Sequence, residues 1–348
     1  MIYGGEVLNR RDFIIRSSYF AGAALSLPSI GAARATADFI MTVHGPLQPA
    51  ALGTTLSHEH VLVDFIGADK ISADRYDSDE AFEVILPYLR ELKAAGCQAL
   101  VECTPAYLGR DPLLLSRLSS ASGMHLLTNT GYYGAAKDKY LPAHAWDESE
   151  DQLAARWVRE WEQGIGDTGI RPGFIKTAVD PVPVSGIDAK IIRAAARAHR
   201  QTGLTIMSHT GPAVPAFDQL KILREEGVAP SAWIWTHAQG ADDFKDHFKA
   251  ADAGAWIAFD GINTDDFKRY AEFLEEMKKR KQLGQVLLSH DAGWYSPGEQ
   301  LGGNFRGYTL LFNKFLPFLR GRGFPEDDIS QLVEKNPAAA FTVKPRLS

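Results

Sequence analysis

The stretch Thr55-Leu56-Ser57-His58-Glu59-His60-Val61-Leu62-Val63-Asp64 predicts a short β-strand and supplies the first clue to the fold. Side chains on a strand alternate between two faces, so His58 and His60 point the same way and Glu59 points the opposite way. Two neighbouring imidazoles at a strand end can bind one divalent metal ion. The pair alone also fits two ordinary histidines, so its interpretation depends on the rest of the chain.

The composition indicates a globular protein. The chain has 348 residues, of which 45% are hydrophobic and 23% charged, and this length fits a single α/β barrel of roughly 250 residues plus extensions. The formal net charge of -6 and the lack of a basic stripe argue against a nucleic-acid partner. The two cysteines, Cys97 and Cys103, form no C-x-x-C motif, so we expect free thiols, although a disulfide stays open.

The first 37 residues have a different character. Arg10-Arg11 precede an apolar run from Tyr19 to Ile30, and small residues follow at 31–37. This order is typical of a secretory signal, and the arginine pair resembles a twin-arginine signal. The apolar run is shorter than the ~20 residues of a membrane-spanning helix. We expect residues 1–37 to be a twin-arginine-type signal peptide and residues 38–348 to be a periplasmic enzyme domain without stable membrane anchoring. A basic disordered tail is the alternative.

Strand-like and helical runs alternate after a small β-hairpin expected within 39–53. The expected strands are 55–64, 99–104, 125–131, 173–179, 204–209, 233–238, 256–260 and 286–290, and the expected helices are 79–95, 112–121, 150–164, 188–202, 214–226, 241–253, 264–281, 305–320 and 326–340. Continuous apolar runs are typical of parallel strands covered on both faces. Eight strand–helix units predict a (β/α)8 TIM barrel with an N-terminal hairpin and an extra C-terminal helix. An open doubly wound sheet is the alternative, but no Gly-rich phosphate turn follows the first strand.

Residues that bind metals or carry protons stand at the ends of several expected strands. They are His58, His60, Lys176, His209, His237 and Asp291. All parallel strands of a barrel end at one face, and that face carries the active site. We therefore expect the six side chains to converge, under an irregular stretch at 132–149 that overhangs them.

The sequence resembles the phosphotriesterase-like branch of the amidohydrolase superfamily from residue 40 to 343. The motifs that carry the resemblance are Gly53-Thr54-Thr55-Leu56-Ser57-His58-Glu59-His60, Gly109-Arg110-Asp111-Pro112, Thr130-Gly131-Tyr132-Tyr133, Ile170-Arg171-Pro172-Gly173-Phe174-Ile175-Lys176, Ser208-His209-Thr210, Thr236-His237, Ser289-His290-Asp291-Ala292-Gly293-Trp294-Tyr295 and Asn336-Pro337-Ala338. The resemblance implies a (β/α)8 barrel with two divalent metal ions, usually Zn²⁺. It also implies a small-molecule substrate, and a homodimer is one assembly to expect.

The resemblance also implies a role for each site residue. His58, His60 and Asp291 would hold the more buried metal ion, and His209 with His237 would hold the more exposed one. Lys176 would bridge both ions as a carbamate, because an ammonium repels a dication and a carboxylated amine does not. A bridging hydroxide would attack the substrate, with Asp291 accepting the proton.

The expected substrate is a lactone or a carboxylic ester. Relatives that hydrolyse phosphotriesters carry a histidine near the end of strand 7, and those that cleave homoserine lactones carry an arginine there, whereas this chain has Gly261. A phosphotriesterase and a non-catalytic metal-binding barrel remain the alternatives. The residues expected to contact the substrate, each of which could instead pack a loop, are Tyr133, Trp294, Tyr295 and Arg110.

Replacing Arg10 and Arg11 by lysine should leave the protein in the cytoplasm. The twin-arginine route reads the arginine pair itself and carries folded cargo, which suits a metal-loaded barrel. Cell fractionation with immunoblotting measures the distribution. Unchanged recovery from the periplasm would contradict the assignment of this route.

Overall fold

The computed structural model describes residues 38–184 and 186–348, and the chain from Asp38 to Ser348 forms one compact unit. The expected signal peptide at 1–37 lies outside the described residues. In the part of the chain that the structure describes, no helix has both the length and the apolar character needed to cross a membrane.

The unit begins with the predicted β-hairpin. Strands β1, Ile40–Thr42, and β2, Gly45–Leu47, pair in antiparallel fashion. The turn between them places Gly45 at φ 105°, a backbone conformation that glycine adopts without steric cost. The backbone N–H of Val43 donates to the carbonyl of Leu126 at 2.9 Å, so the hairpin is fastened to the barrel.

The barrel consists of parallel strands in chain order. They are β3 Thr55–Leu62, β4 Ala99–Glu102, β5 His125–Leu127, β6 Asn129–Thr130, β7 Phe174–Ala178, β8 Ile206–His209, β9 Trp233–Thr236, β10 Trp256–Phe259 and β11 Val286–Leu288. Only Thr128 separates β5 from β6, which together form one barrel strand. Each strand pairs in parallel with its neighbours in the sequence. The (β/α)8 barrel predicted from the alternating runs is confirmed.

The first and last barrel strands meet through individual hydrogen bonds. The Ser57 hydroxyl donates to the Leu288 carbonyl at 3.0 Å, and the Asp291 N–H donates to the His58 carbonyl at 3.2 Å. Beyond this seam a short strand β12, Gly293–Tyr295, pairs in parallel with β3. Closure therefore uses the same chain segments that carry the expected metal ligands.

Helices follow the strands and cover the outside of the barrel. They are α1 Ser78–Ala94, α2 Pro112–Ser122, α3 His144–Asp147, α4 Glu150–Gln163, α5 Gly186–Thr202, α6 Ala213–Glu225, α7 Phe244–Asp252, α8 Phe267–Lys279, α9 Leu316–Gly321, α10 Glu326–Ser330 and α11 Asn336–Phe341. Short 3₁₀ turns occur at Pro49–Ala51, Ala73–Arg75, Pro230–Ala232, Ala238–Gly240, Leu283–Gln285 and Gln300–Gly302, and π-helical turns at Leu311–Phe315 and Gln331–Lys335.

The helices differ from the sequence-based prediction in two places. The helix expected at 305–320 becomes helical only from residue 310, because Arg306 and Gly293 exchange two backbone hydrogen bonds of 2.9 Å. The short α3 interrupts the stretch 132–149, which was expected to be irregular throughout. The remaining helices lie within a few residues of their expected bounds.

The inside of the barrel is apolar below the strand ends and closed at the amino end. The inward-facing core residues include Val101, Met207 and Ile234. Phe341 from α11 packs edge-on against Phe174, with ring centroids 5.5 Å apart. The predicted ligand-type residues, in contrast, lie at the carboxyl end of the strands.

Candidate metal centre

Four histidines and two carboxylates meet at the carboxyl end of the barrel. Those predicted from the sequence are His58, His60, His209, His237 and Asp291, and the structure adds Asp260. Strands β8 to β11 are neighbours in one sheet, and individual hydrogen bonds join β11 and the residues after it to β3. The predicted convergence of the ligand-type residues is therefore observed.

One group of donors comprises His58, His60 and Asp291. His60 Nε2 lies 3.1 Å from Asp291 Oδ1 and His58 Nε2 lies 3.8 Å from it, and the donor atoms all fall within 4.8 Å of one another. Burial, with the nearby charge of Lys176, lowers the pKa of His58 to about 4. Burial raises the pKa of Asp291, but the charge of His58 and the hydrogen bond from His60 outweigh it and lower the pKa. A neutral imidazole and an ionised carboxylate are the forms that bind a cation.

A second group of donors comprises His209 and His237. Nε2 of His237 lies 2.8 Å from Nδ1 of His209, and the ring centroids are 4.4 Å apart. Burial and the charge of His237 hold the pKa of His209 well below its usual value, so this ring is neutral at pH 7. The pair could hold a divalent ion between its two facing nitrogens.

Lys176 is buried without a hydrogen-bond partner. Its side chain on β7 is 1% exposed, and Nζ has no partner among the described residues. An unpaired buried ammonium is costly, and its charge also disfavours protonation of His58 and His209. The site therefore fits a lysine nitrogen that has gained anionic oxygens, as a carbamate between two cations would have.

Asp260 orients two of the histidines and was missed in the sequence analysis. It follows β10, is fully buried, and accepts from Nδ1 of His58 at 2.7 Å and Nδ1 of His237 at 2.8 Å. Burial raises the pKa of Asp260, but the charges and hydrogen bonds of the two histidines outweigh it and hold the pKa well below its usual value. With Nδ1 of each ring held by the carboxylate, Nε2 is the nitrogen through which each ring could bind a metal ion. Its position at the end of an expected strand, like the other site residues, was the available signal.

Two site residues have a left-handed backbone. His237 has φ 58° and Asp291 has φ 51°, although neither is glycine. Such conformations cost about 1–3 kcal/mol each and persist where the surroundings hold them. His237 directly follows β9 and Asp291 lies three residues beyond the end of β11, so each turn brings its side chain to the barrel mouth.

The histidines form one half of a closed circuit of aromatic rings, which we call the ring wall. Its members in order are His58, His60, Trp294, Phe65, Tyr140, Tyr133, His209 and His237. Neighbouring ring centroids lie between 4.4 and 6.0 Å apart. Burial, with the charge of Asp291, raises the pKa of the Tyr133 phenol, so that group is neutral. The wall thus joins a metal-binding half to an uncharged aromatic half.

The residues expected to contact substrate divide into two pairs. Tyr133 and Trp294 belong to the ring wall, where each ring contacts one of the histidines. Tyr295 does not, because it neighbours Trp294 on a strand and faces the other way, where its buried hydroxyl donates to Glu80 at 2.6 Å.

Arg110 also lies apart from the ring wall. Its guanidinium makes two hydrogen bonds of 2.8 Å to Glu160 and one of 2.7 Å to the Asn129 carbonyl. It lines a separate cavity of about 460 Å³ together with Tyr107. The expectation that Arg110 contacts substrate at the metal centre is not met, since its charge is already used in this buried ion pair.

Gly261 leaves no room for an added side chain. A Cβ atom there would lie 2.7 Å from Nε2 of Gln239 and 2.8 Å from the hydroxyl of Tyr270. Gln239 is itself held by Asp260, to which its amide donates at 3.2 Å. A side chain at position 261 would therefore require Gln239 or Tyr270 to move.

Comparisons with known proteins agree with this architecture. A model of the phosphotriesterase family matches residues 39–341. The "Phosphotriesterase homology protein" of Escherichia coli (strain K12) is 31% identical over 294 residues, which cover 83% of this chain and 98% of the relative. The "Aryldialkylphosphatase" of Saccharolobus solfataricus is 29% identical over 305 residues, covering 84% and 95%. The "N-acetyltaurine hydrolase" of Homo sapiens is 25% identical over 348 residues, covering 88% and 98%.

Replacing Asp260 by alanine should weaken metal binding about 10- to 100-fold, because both imidazoles lose the carboxylate that orients them. Chelator competition against the metal-stripped protein measures this, and circular dichroism checks the fold. Asp265→Asn is the matched control, since Asp265 is exposed on the following loop. Metal affinity of Asp260→Ala equal to that of the control would show that Asp260 does not orient ligands.

Proposed function

Because the chain belongs to the phosphotriesterase family, we propose that it is a metal-dependent hydrolase that cleaves a lactone or a carboxylic ester. The observation that carries the hydrolase assignment is the convergence of four histidines and Asp291 around a buried lysine without a partner. A structural role alone gives no reason to bury an unpaired Lys176 beside so many ligand-type groups.

The donor set fits two divalent metal ions, and we propose Zn²⁺ for both. His58, His60 and Asp291 would hold one ion, His209 and His237 the other, and a Lys176 carbamate would bridge them. When bound, such ions polarise a carbonyl oxygen and lower the pKa of water. Nitrogen donors with a few oxygens are the ligands that zinc prefers.

Asp291 is the residue that would move the proton. Its carboxylate is ionised, its side chain is 23% exposed, and its left-handed backbone aims it at the centre of the site. It can accept the proton of the attacking water and return it to the leaving alkoxide. In a lactone that alkoxide stays attached to the acyl part, so it remains within reach of Asp291.

The ring wall and Gly261 support a carbonyl substrate. Trp294 and Tyr133 offer flat apolar faces next to the metal-binding half, which suit an acyl ring or chain. Gln239 and Tyr270 fill the space over Gly261, so no histidine is available there to assist the departure of a phosphotriester leaving group.

Phosphotriester hydrolysis is the second candidate. It is favoured by the similarity to a relative named aryldialkylphosphatase, which covers most of both chains. The same two ions would serve either reaction, because both need a polarised oxygen and an activated water.

Lys176→Ala should remove nearly all activity and reduce the metal content from about two ions per chain to about one, since the bridge is lost and the more exposed ion has only two histidines left. Elemental analysis after reloading measures the content. Lys268→Ala, at an exposed lysine, is the control. Wild-type turnover and metal content in the variant would make Lys176 a structural residue.

The metal-loaded protein should hydrolyse γ- or δ-lactones or esters with a kcat/KM at least tenfold above that for an aryl phosphotriester. This ratio corresponds to about 1.4 kcal/mol in the transition state. Both values come from one preparation, so metal content cancels. A tenfold preference for the phosphotriester would favour the second candidate, and full metal content without turnover of any substrate would indicate a binding protein.

A further inference from the structure

An exposed arginine stands beside the ring wall. Arg306 donates through Nη2 to the carbonyl of Asp291, and its guanidinium carbon lies 5.1 Å from the centroid of the Trp294 ring. Its backbone exchanges two hydrogen bonds with Gly293, which fixes the position of the residue. The guanidinium is therefore held at the opening of the barrel, in contact with the backbone of Asp291, a predicted metal ligand.

The charge of Arg306 is not neutralised by the protein. No acidic side chain within 38–184 or 186–348 forms an ion pair with it, and only Nη2 has a hydrogen-bond acceptor there. Most of the five N–H groups of this guanidinium are consequently available to a ligand.

A second cation lies against the middle of the aromatic half, beside Phe65 and Tyr140. Nζ of Lys139 donates to the carbonyl of Phe65 at 2.5 Å and lies 5.5 Å from the Tyr140 ring centroid. Phe65 itself contacts Trp294, with centroids 5.4 Å apart. Two positive charges thus lie against the aromatic half, one on Trp294 and one on Tyr140, although the whole chain carries a net charge of -6.

We propose that Arg306 on the Trp294 ring forms an anion subsite, which selects substrates that carry a carboxylate or sulfonate near the scissile bond. A guanidinium on an aromatic face is weakly hydrated and binds such planar or oxygen-rich anions through paired N–H groups. The inference rests on the proposed function and narrows it to anionic lactones or esters. Arg306 supplies the positive charge that contacts the anion. Lys139 adds a second positive charge at longer range.

The test compares two esters that differ by one methyl group, which removes the negative charge. Mono-4-nitrophenyl succinate is anionic, and methyl 4-nitrophenyl succinate is its neutral counterpart. In Arg306→Met, KM for the anionic ester should rise about tenfold or more while kcat changes little, and the neutral ester should be unaffected. Arg306→Lys should recover part of the loss, and added salt should raise KM for the anionic ester alone.

A control and an opposite result complete this experiment. Arg320→Met removes an exposed arginine that pairs with Glu326, away from the ring wall, and should change neither KM. Equal losses for the two esters in Arg306→Met would show that Arg306 only supports the Asp291 backbone, and would overturn the proposal.

A binding measurement separates this proposal from the proposed reaction. Isothermal titration of the metal-loaded protein with benzenesulfonate should show binding that Arg306→Met weakens and Arg320→Met does not. If no ester or lactone is hydrolysed but this pattern appears, the reaction is wrong and the subsite stands. If esters are hydrolysed and benzenesulfonate binds wild type and Arg306→Met equally, the subsite is refuted and the reaction stands.

Discussion

The buried carboxylate of Asp260 lies between two imidazoles that are neighbours at the barrel mouth but come from strands far apart in the sequence. Its two oxygens accept from His58 and His237, and the backbone N–H of His237 adds a further hydrogen bond at 3.1 Å. A buried charge is stable only when it is fully hydrogen-bonded. The carboxylate therefore holds the two rings in place, and the two rings hold the carboxylate in place. Both groups of donors share this anchor, since His58 belongs to one and His237 to the other.

Much of the fold and of the donor set could be predicted from the sequence. Continuous apolar runs specify buried parallel strands, and the ligand-type residues follow from where these runs end. The predicted helix bounds were wrong where the backbone pairs with a segment distant in the sequence. Arg306 pairs with Gly293, and the following helix therefore begins later than predicted. Such a pairing depends on which loops meet at the barrel mouth, and local sequence patterns do not report it.

Residues whose role depends on their hydrogen-bond partners were harder to predict from the sequence. Asp260 looks like any aspartate after a strand until the partners of its two oxygens are known. Arg110 and Tyr295 fit a substrate pocket by residue type, yet Glu160 and Glu80 already satisfy their polar groups. The residue types and their order predicted which side chains could bind a metal ion. Which side chains face the ring wall depends instead on how each one is oriented in the fold.

The seam between the first and last barrel strands has a consequence for biosynthesis. His58 and Ser289, which are hydrogen-bonded across it, lie 231 residues apart in the sequence. Contacts of such long range form late, because the intervening chain must be ordered before its ends can meet. A nascent chain on the ribosome therefore displays His58 and His60 long before Asp291 exists, and the complete donor set appears only when synthesis is nearly finished. Completion of the donor set is in this way tied to near-completion of the chain, and a product terminated before residue 291 lacks one of the predicted metal ligands.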